Sequence, residues 1–380
     1  MASDQSEREN FEDIWGEMGL SNFSGAMAAQ YVAKSKSTAE GEFAFARVNA
    51  WLHSQHAVAG SQKPSSTFQM GCPEIIPGLR ALHRWNAELL PELQVWLSER
   101  WLPNKAAILN EVHALCAPAS TEGNQQPISG FQEYRAPSWA GTVASKDTPG
   151  DHAAPEEMLP STASTAPAVA MGSSSTSSGQ WNVYYLELHN VDTTANRKRC
   201  PVLASVVDAL PGKYGHAFLS AMAPGTHITP HHGPTNKKLR IQLPLSLPPD
   251  ATPEGGGDDT PSQRAGCAVR VGECTLRYES DAPLIFDDSF EHEAWNMCSQ
   301  PRLVLIMDVW HPDLTPSELK FMQFLRKAQL RAAKAMSAEA TKQGMTGVDF
   351  FAILEDASSR PVDVRAVLPL EATEKAPATA

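Results

Sequence analysis

The chain has 380 residues, 42% of them hydrophobic and 19% charged, with a formal net charge of −12. That is enough apolar material for a packed core, so a chain disordered throughout is excluded. An acidic balance without a long Lys/Arg run excludes nucleic acid or an anionic membrane surface as the main partner. At roughly 150 residues per domain, the length admits one large domain with extensions, or two domains. No apolar run is long enough to span a bilayer. The opening MASDQSERENFEDIW has neither the basic nor the apolar region of a secretory signal. Six cysteines, none in a CxxC pair, read as reduced thiols rather than a disulfide framework or a zinc site. These features together predict a cytoplasmic protein.

In chain order, residues 1–68 form a helical extension. AMAAQYVAKSK and EFAFARVNAWLHSQ space apolar residues at three and four, and residues 61–68, with Pro64, read as a linker. PEIIPGLRAL then leads into helical WNAELLPELQVWLSERW and AAILNEVHAL, broken into pieces by Pro91 and Pro103. Residues 136–179 are rich in Ser, Thr, Ala and Pro and cannot bury enough apolar surface to offset their ordering entropy. They read as a tolerated surface insertion rather than a phosphorylation segment.

From Trp181 the pattern turns to short strands: NVYYLEL, HAFLSAM, KLRIQLPLSL, CAVRVGE, TLRYES, PLIFDD and RLVLIMDVW, separated by Gly, Pro and Asp turns. Many short strands at this spacing predict a sandwich or small barrel. Residues 248–266 read as a loop. After His311-Pro312 comes a basic amphipathic helix, expected to pack on the domain's outside rather than anchor it in a membrane, and the tail from about Glu371 is expected to be disordered. The resulting division is an extension at 1–68, a β domain at 69–314 and a C-terminal helix and tail at 315–380.

Two segments carry chemistry. PGTHITPHHGPTNKKLRIQLPL (224–245) holds His227, His231 and His232 ahead of a strand. IFDDSFEHEAWNMCSQPRLVLIMDVWHP (285–312) holds His292, with Arg302 ten residues on. If the flanking strands pair as a hairpin centred near Met297, His292 and Arg302 oppose each other and project from one face. In LRIQLPL the period of two puts Arg240 and Gln242 on one face and Leu239, Ile241 and Leu243 on the other. In HAFLSAM, Ser220 shares a face with Phe218 and Met222. With the polar faces inward, one cavity holds two Arg, a Ser, an amide and two His. Such a cavity suits a small dicarboxylate beside a metal, since Arg grips carboxylates with two hydrogen bonds and an unpaired buried cation is costly. The spacing alone leaves open which of His227, His231 and His232 is a ligand.

These two segments, with PEIIPGLRAL, WNVYYLEL and CPVLASVVDALPG, resemble the aspartyl/asparaginyl β-hydroxylase family over residues 73 to about 314. The resemblance implies a mainly β fold with flanking helices (α+β), around a double-stranded β-helix, a jelly-roll or cupin-like core. It implies an enzyme using iron(II), 2-oxoglutarate and molecular oxygen. His231 and His292 match the iron ligands, Arg302 the residue that grips the distal carboxylate of 2-oxoglutarate, with Ser220 helping, Arg240 a residue near the other carboxylate, and Trp181 a cofactor-lining aromatic. His227 and His232 then fall outside the ligand set.

Two positions depart from wider patterns. Gly233 stands where many oxygenases place a third, carboxylate ligand, a feature the family shares. Gln242 stands where the family usually has His, and it donates a hydrogen bond without carrying charge. Cys200 has no partner nearby in sequence, unlike the paired cysteines of secreted members. The expected substrate is an Asp- or Asn-type residue in a peptide, protein or small amino-acid-like molecule. The alternatives are hydroxylation of lipid acyl chains, halogenation at the vacant position, a non-catalytic metal- or partner-binding module, and N-terminal helices that form the working surface and recruit a substrate. Substrate identity and oligomeric state are not written in these motifs.

Overall fold

The computed structural model describes residues 20, 22–35, 45–52, 69, 71–72, 74–116, 130–134, 179–188, 191–252, 264–342, 362 and 366–368. The expected insertion, apart from Gly179, and the expected disordered tail lie outside these residues.

Ten strands form two antiparallel sheets. They are β1 (Gln132–Glu133), β2 (Trp181–Leu188), β3 (Lys213–Met222), β4 (Thr226–His231), β5 (Lys238–Ser246), β6 (Cys267–Val271), β7 (Cys274–Arg277), β8 (Leu284–Phe286), β9 (His292–Asn296) and β10 (Arg302–Trp310). The larger sheet runs β1-β2-β3-β10-β5-β8 and the smaller β4-β9-β6-β7. The expected hairpin does not form. β9 pairs with β4 and β6, whereas β10 pairs with β3 and β5. Residues 297–301 therefore cross from one sheet to the other instead of turning within one, and His292 and Arg302 approach from opposite layers.

The helices lie outside the sheets. They are α1 (Asn22–Ser35), α2 (Pro91–Trp96), α3 (Leu102–Cys116), α4 (Thr194–Arg199), α5 (Pro201–Asp208) and α6 (Pro316–Lys342). Pro91 opens α2, where its missing N–H costs nothing. Pro103 was expected to break the helix and does not. Leu97–Trp101 widen into a π turn just ahead of it, which relieves the clash a proline ring makes with the carbonyl four residues back.

Strands β5 and β10 are buried on both faces, so their alternation decides which layer each side chain enters. Leu239, Ile241, Leu243, Leu303, Leu305 and Met307 face the helices, packing with Ile108, Val112, Trp101 and Leu203. Val304 and Ile306 face the other way, meeting Phe218, Met222, Val269, Phe286 and Ala294 between the sheets. A third cluster joins α1 and residues 45–52 to α6 through Phe45, Trp51, Phe321 and Leu325, with Trp310 and Leu314 beneath. The C-terminal helix thus packs on the outside of the domain, as its apolar spacing predicts. No helix among the described residues is long and apolar enough to cross a membrane.

Candidate active site

The site lies between the sheets, and cross-strand register places its parts. On the larger sheet Trp181, Met222 and Arg302 form one row, Val183, Ser220 and Val304 the next, Tyr185, Phe218, Ile306 and Gln242 another, and Asp308 with Arg240 the last. All project into the intersheet layer. From the smaller sheet, His231 and His292 are directly opposed partners of β4 and β9. Their ring centroids lie 4.1 Å apart.

Each imidazole is set by its own strand. Nδ1 of His231 lies 2.8 Å from the Thr229 carbonyl, and Nδ1 of His292 lies 2.9 Å from the Phe290 carbonyl. A carbonyl only accepts, so both Nδ1 atoms carry the proton and both Nε2 atoms keep their lone pairs. Burial pushes His231 down from an ordinary 6.5 to about 4. Burial, then the neighbouring His231, holds His292 well below its ordinary range. Both are neutral at physiological pH, the state a metal ligand needs.

The other histidines of the first segment are elsewhere. His227 pairs with Trp295 on the outer face of the smaller sheet, and its Nε2 lies 2.6 Å from Glu293. The ring of His232 packs beside Gly71. Of the three, His231 is the one directly opposed to His292.

Arg302 is 1% exposed, and no carboxylate ion-pairs with it among the described residues. One guanidinium nitrogen donates to the Tyr278 hydroxyl at 2.6 Å, and Nε has no hydrogen-bond partner. The Tyr278 hydroxyl in turn donates to the Gln242 side-chain carbonyl. That leaves the Gln242 amide NH₂ as its free polar end. Trp181 donates from Nε1 to Ser220 Oγ at 2.9 Å and stacks on Tyr134 at 4.1 Å. These residues surround a buried arginine whose Nε donor is unspent.

Arg240 differs from Arg302. It forks onto Asp308 at 2.9 and 3.1 Å and reaches Asp288 at 3.3 Å. Lys238 also joins both carboxylates, at 2.5 and 3.0 Å. Burial alone would raise the Asp308 carboxyl, but Arg240, Lys238 and His216 hold it well below the usual range. Two cations against two carboxylates leave no net charge, so Arg302 is the site's uncompensated cation.

Asp288 was missed in the sequence. A Cβ built on Gly233 would lie 2.6–2.7 Å from the Asp288 carboxyl group. The space a third carboxylate ligand would need at Gly233 is therefore filled by a carboxylate from the other segment. Asp288 Oδ1 is buried without a hydrogen-bond partner. The available signal was the Asp287-Asp288 pair just ahead of His292. Among the described residues no three His, Cys, Asp or Glu side chains group as a metal cage. The centre is a histidine pair with an acid beside it.

Fold and site together define a two-sheet antiparallel β protein with an opposed histidine pair and a buried arginine between its layers. Residues 155–312 match the model of the aspartyl/asparaginyl beta-hydroxylase family. The matched span ends close to the resemblance read from the motifs but begins well after Pro73. The aspartyl/asparaginyl beta-hydroxylase of Homo sapiens is 40% identical over 32% of this chain and 14% of its own length. The aspartate beta-hydroxylase domain-containing protein 2 of Homo sapiens is 33% identical over 40% of this chain and 39% of its own length. An ornithine lipid ester-linked acyl 2-hydroxylase of Rhizobium tropici is 33% identical over 36% of this chain and 44% of its own length. The chain thus spans less than half of each of these relatives.

Proposed function

We propose that this domain is an iron(II)- and 2-oxoglutarate-dependent hydroxylase on a double-stranded β-helix frame. The observation that carries the reading is the opposed pair His231 and His292, each with Nδ1 spent on a backbone carbonyl and Nε2 left basic. A divalent metal fits that donor set, and a dicarboxylate fits the orphaned Nε of buried Arg302.

In this reading His231 and His292 hold the iron. Arg302 and Ser220 hold the distal carboxylate of 2-oxoglutarate, Trp181 lines its path, and the Gln242 amide donates near its other end. When bound, iron with 2-oxoglutarate and oxygen supplies the oxidant that puts one oxygen atom into an unactivated C–H bond. Tyr278 orients Arg302 and Gln242. Arg240 acts chiefly on Asp288 and Asp308, pairing with both carboxylates beside the histidines. The apolar layer around Phe218, Phe286 and Ile306 keeps bulk water from the centre.

The preferred substrate is an Asp- or Asn-type residue in a peptide, protein or small amino-acid-like molecule, which the similarity to the beta-hydroxylases favours. Similarity to the ornithine lipid acyl 2-hydroxylase favours a second reading, a lipid acyl chain. The first experiment adds iron(II) and 2-oxoglutarate to the protein without oxygen. A weak visible charge-transfer band is expected, and it should vanish in His231→Ala and Arg302→Ala. Metal binding without that band in the wild-type protein would overturn the cofactor assignment and leave a metal-binding module. With oxygen admitted, a gain of one oxygen on Asp/Asn peptides or on an acyl chain distinguishes the two substrates.

A further inference from the structure

Cys267 opens β6, and Cys298 lies in the crossover between β9 and β10. They are far apart in sequence, yet their sulfurs are 3.2 Å apart and both residues are buried. Both are free thiols. Cys267 Sγ donates to the Asn296 side-chain carbonyl at 3.0 Å, and the Cys298 backbone N–H donates to the same oxygen at 3.2 Å. The Asn296 amide donates to the carbonyls of Met222 at 2.7 Å and Gln300 at 3.0 Å. One asparagine thus clamps both cysteines to the crossover, which delivers Arg302 to the site. A disulfide spans about 2.05 Å, so closing this pair needs an approach of about 1 Å within a contact already made.

We propose that Cys267 and Cys298 are a thiol–disulfide site that peroxide closes, cross-linking β6 to the crossover ahead of Arg302. The inference stands apart from the iron and 2-oxoglutarate reading. The pair is one layer beneath the surface, since Met297 and Ser299 on either side of Cys298 are exposed. Hydrogen peroxide is small and neutral and reaches such a depth more readily than a bulky disulfide. Chemistry favours a division of labour. The hydrogen bond from Cys298 lowers the Cys267 thiol, with help from Arg302 and against burial. The same contact, with burial, raises Cys298. The Arg302 guanidinium near Cys267 favours that sulfur as the attacking thiolate, with Cys298 resolving.

The Cys267 thiolate attacks one peroxide oxygen, the O–O bond breaks, and hydroxide leaves with a proton as water. The Cys298 sulfur then attacks the sulfenic sulfur, the S–O bond breaks, and a second water leaves. Two thiols are oxidised by two electrons, one peroxide is reduced to two waters, and the products balance. The closed loop takes in β6, β7, β8 and β9, so the cross-link also restricts the unfolded chain.

The test treats the folded full-length protein with hydrogen peroxide, removes the oxidant, alkylates in denaturant and maps peptides without reductant. The expected result is a Cys267–Cys298 linked peptide, two hydrogens lighter than its parts, separated again by reductant. In Cys298→Ser the link is absent, and a cyclic diketone traps sulfenic acid at Cys267. The urea midpoint of the oxidised wild-type protein rises above that of the reduced protein, and peroxide leaves Cys298→Ser unshifted. Full alkylation of both cysteines under peroxide that oxidises exposed Cys274 overturns the proposal. So does an equal rise of the midpoint in Cys298→Ser.

Discussion

His231 and His292 spend one nitrogen on their own strands and point the other into the layer between sheets. A metal binding there at neutral pH displaces no proton from either ring. His292→Ala is expected to weaken iron(II) binding by at least about tenfold, read by anaerobic titration. Arg302→Ala should leave the metal bound and weaken 2-oxoglutarate. Arg302→Lys should recover little of that loss, because the ammonium keeps the charge but not the fork; equal affinity for 2-oxoglutarate in Lys and wild type would exclude a bidentate grip. Gly233→Asp is not a repair of the ligand set. The new Cβ would sit against the Asp288 carboxyl, which Lys238 pins at 2.5 Å. That substitution is expected to lower stability by about 2 kcal/mol or more in urea unfolding, without tighter metal binding. The histidines and arginines were legible because their types and spacing are chemical. Asp288 was not, because its meeting with Gly233 depends on how two distant segments pack.

At the level of elements, the alternation along LRIQLPL and HAFLSAM was legible as a period of two. It puts Ser220 with Phe218 and Met222, and sorts Arg240 and Gln242 onto one face of their strand and Leu239, Ile241 and Leu243 onto the other. The helix α3 answers that second face, with Ile108 and Val112 fully buried against the sheet. Ile108→Ala is expected to cost about 2–5 kcal/mol in the urea midpoint while leaving the ligand pocket's metal affinity unchanged. A loss of metal affinity matching the loss of stability would show that the helical face and the site are coupled. The partner of β9 was not legible. A short connection between apolar strands suits either a hairpin or a crossover, and only the available edges decide: β9 finds β4 and β6, whereas β10 fills the gap between β3 and β5.

Across the whole molecule, several histidines are buried in neutral form. His311 joins the β domain to α6. Its Nε2 meets the Arg80 carbonyl at 3.1 Å, and its Nδ1 accepts from the Asp313 N–H at 3.1 Å. Burial pushes it from an ordinary 6.5 to about 4. The unfolded chain therefore takes up this proton first as pH falls. The stability contribution is complete above the unfolded value and is lost progressively between about 6.5 and about 4. His216, His231 and His292 shift the same way. The urea midpoint of metal-free protein should be flat above about pH 7 and fall below it, and His311→Gln should make that fall shallower. An unchanged slope would exclude His311 from the transition. The sequence by itself determined the polar and apolar faces, the strand-rich class and the chemical types at the site, because these follow from residue identity and a local period of two. Only the tertiary structure decided that His292 faces His231 rather than Arg302, that Arg240 is already neutralised, that Asp288 fills the place beside Gly233, and that Cys267 meets Cys298. Each depends on contacts between segments remote in sequence, set by which strand edges and cavities remain once the core has packed.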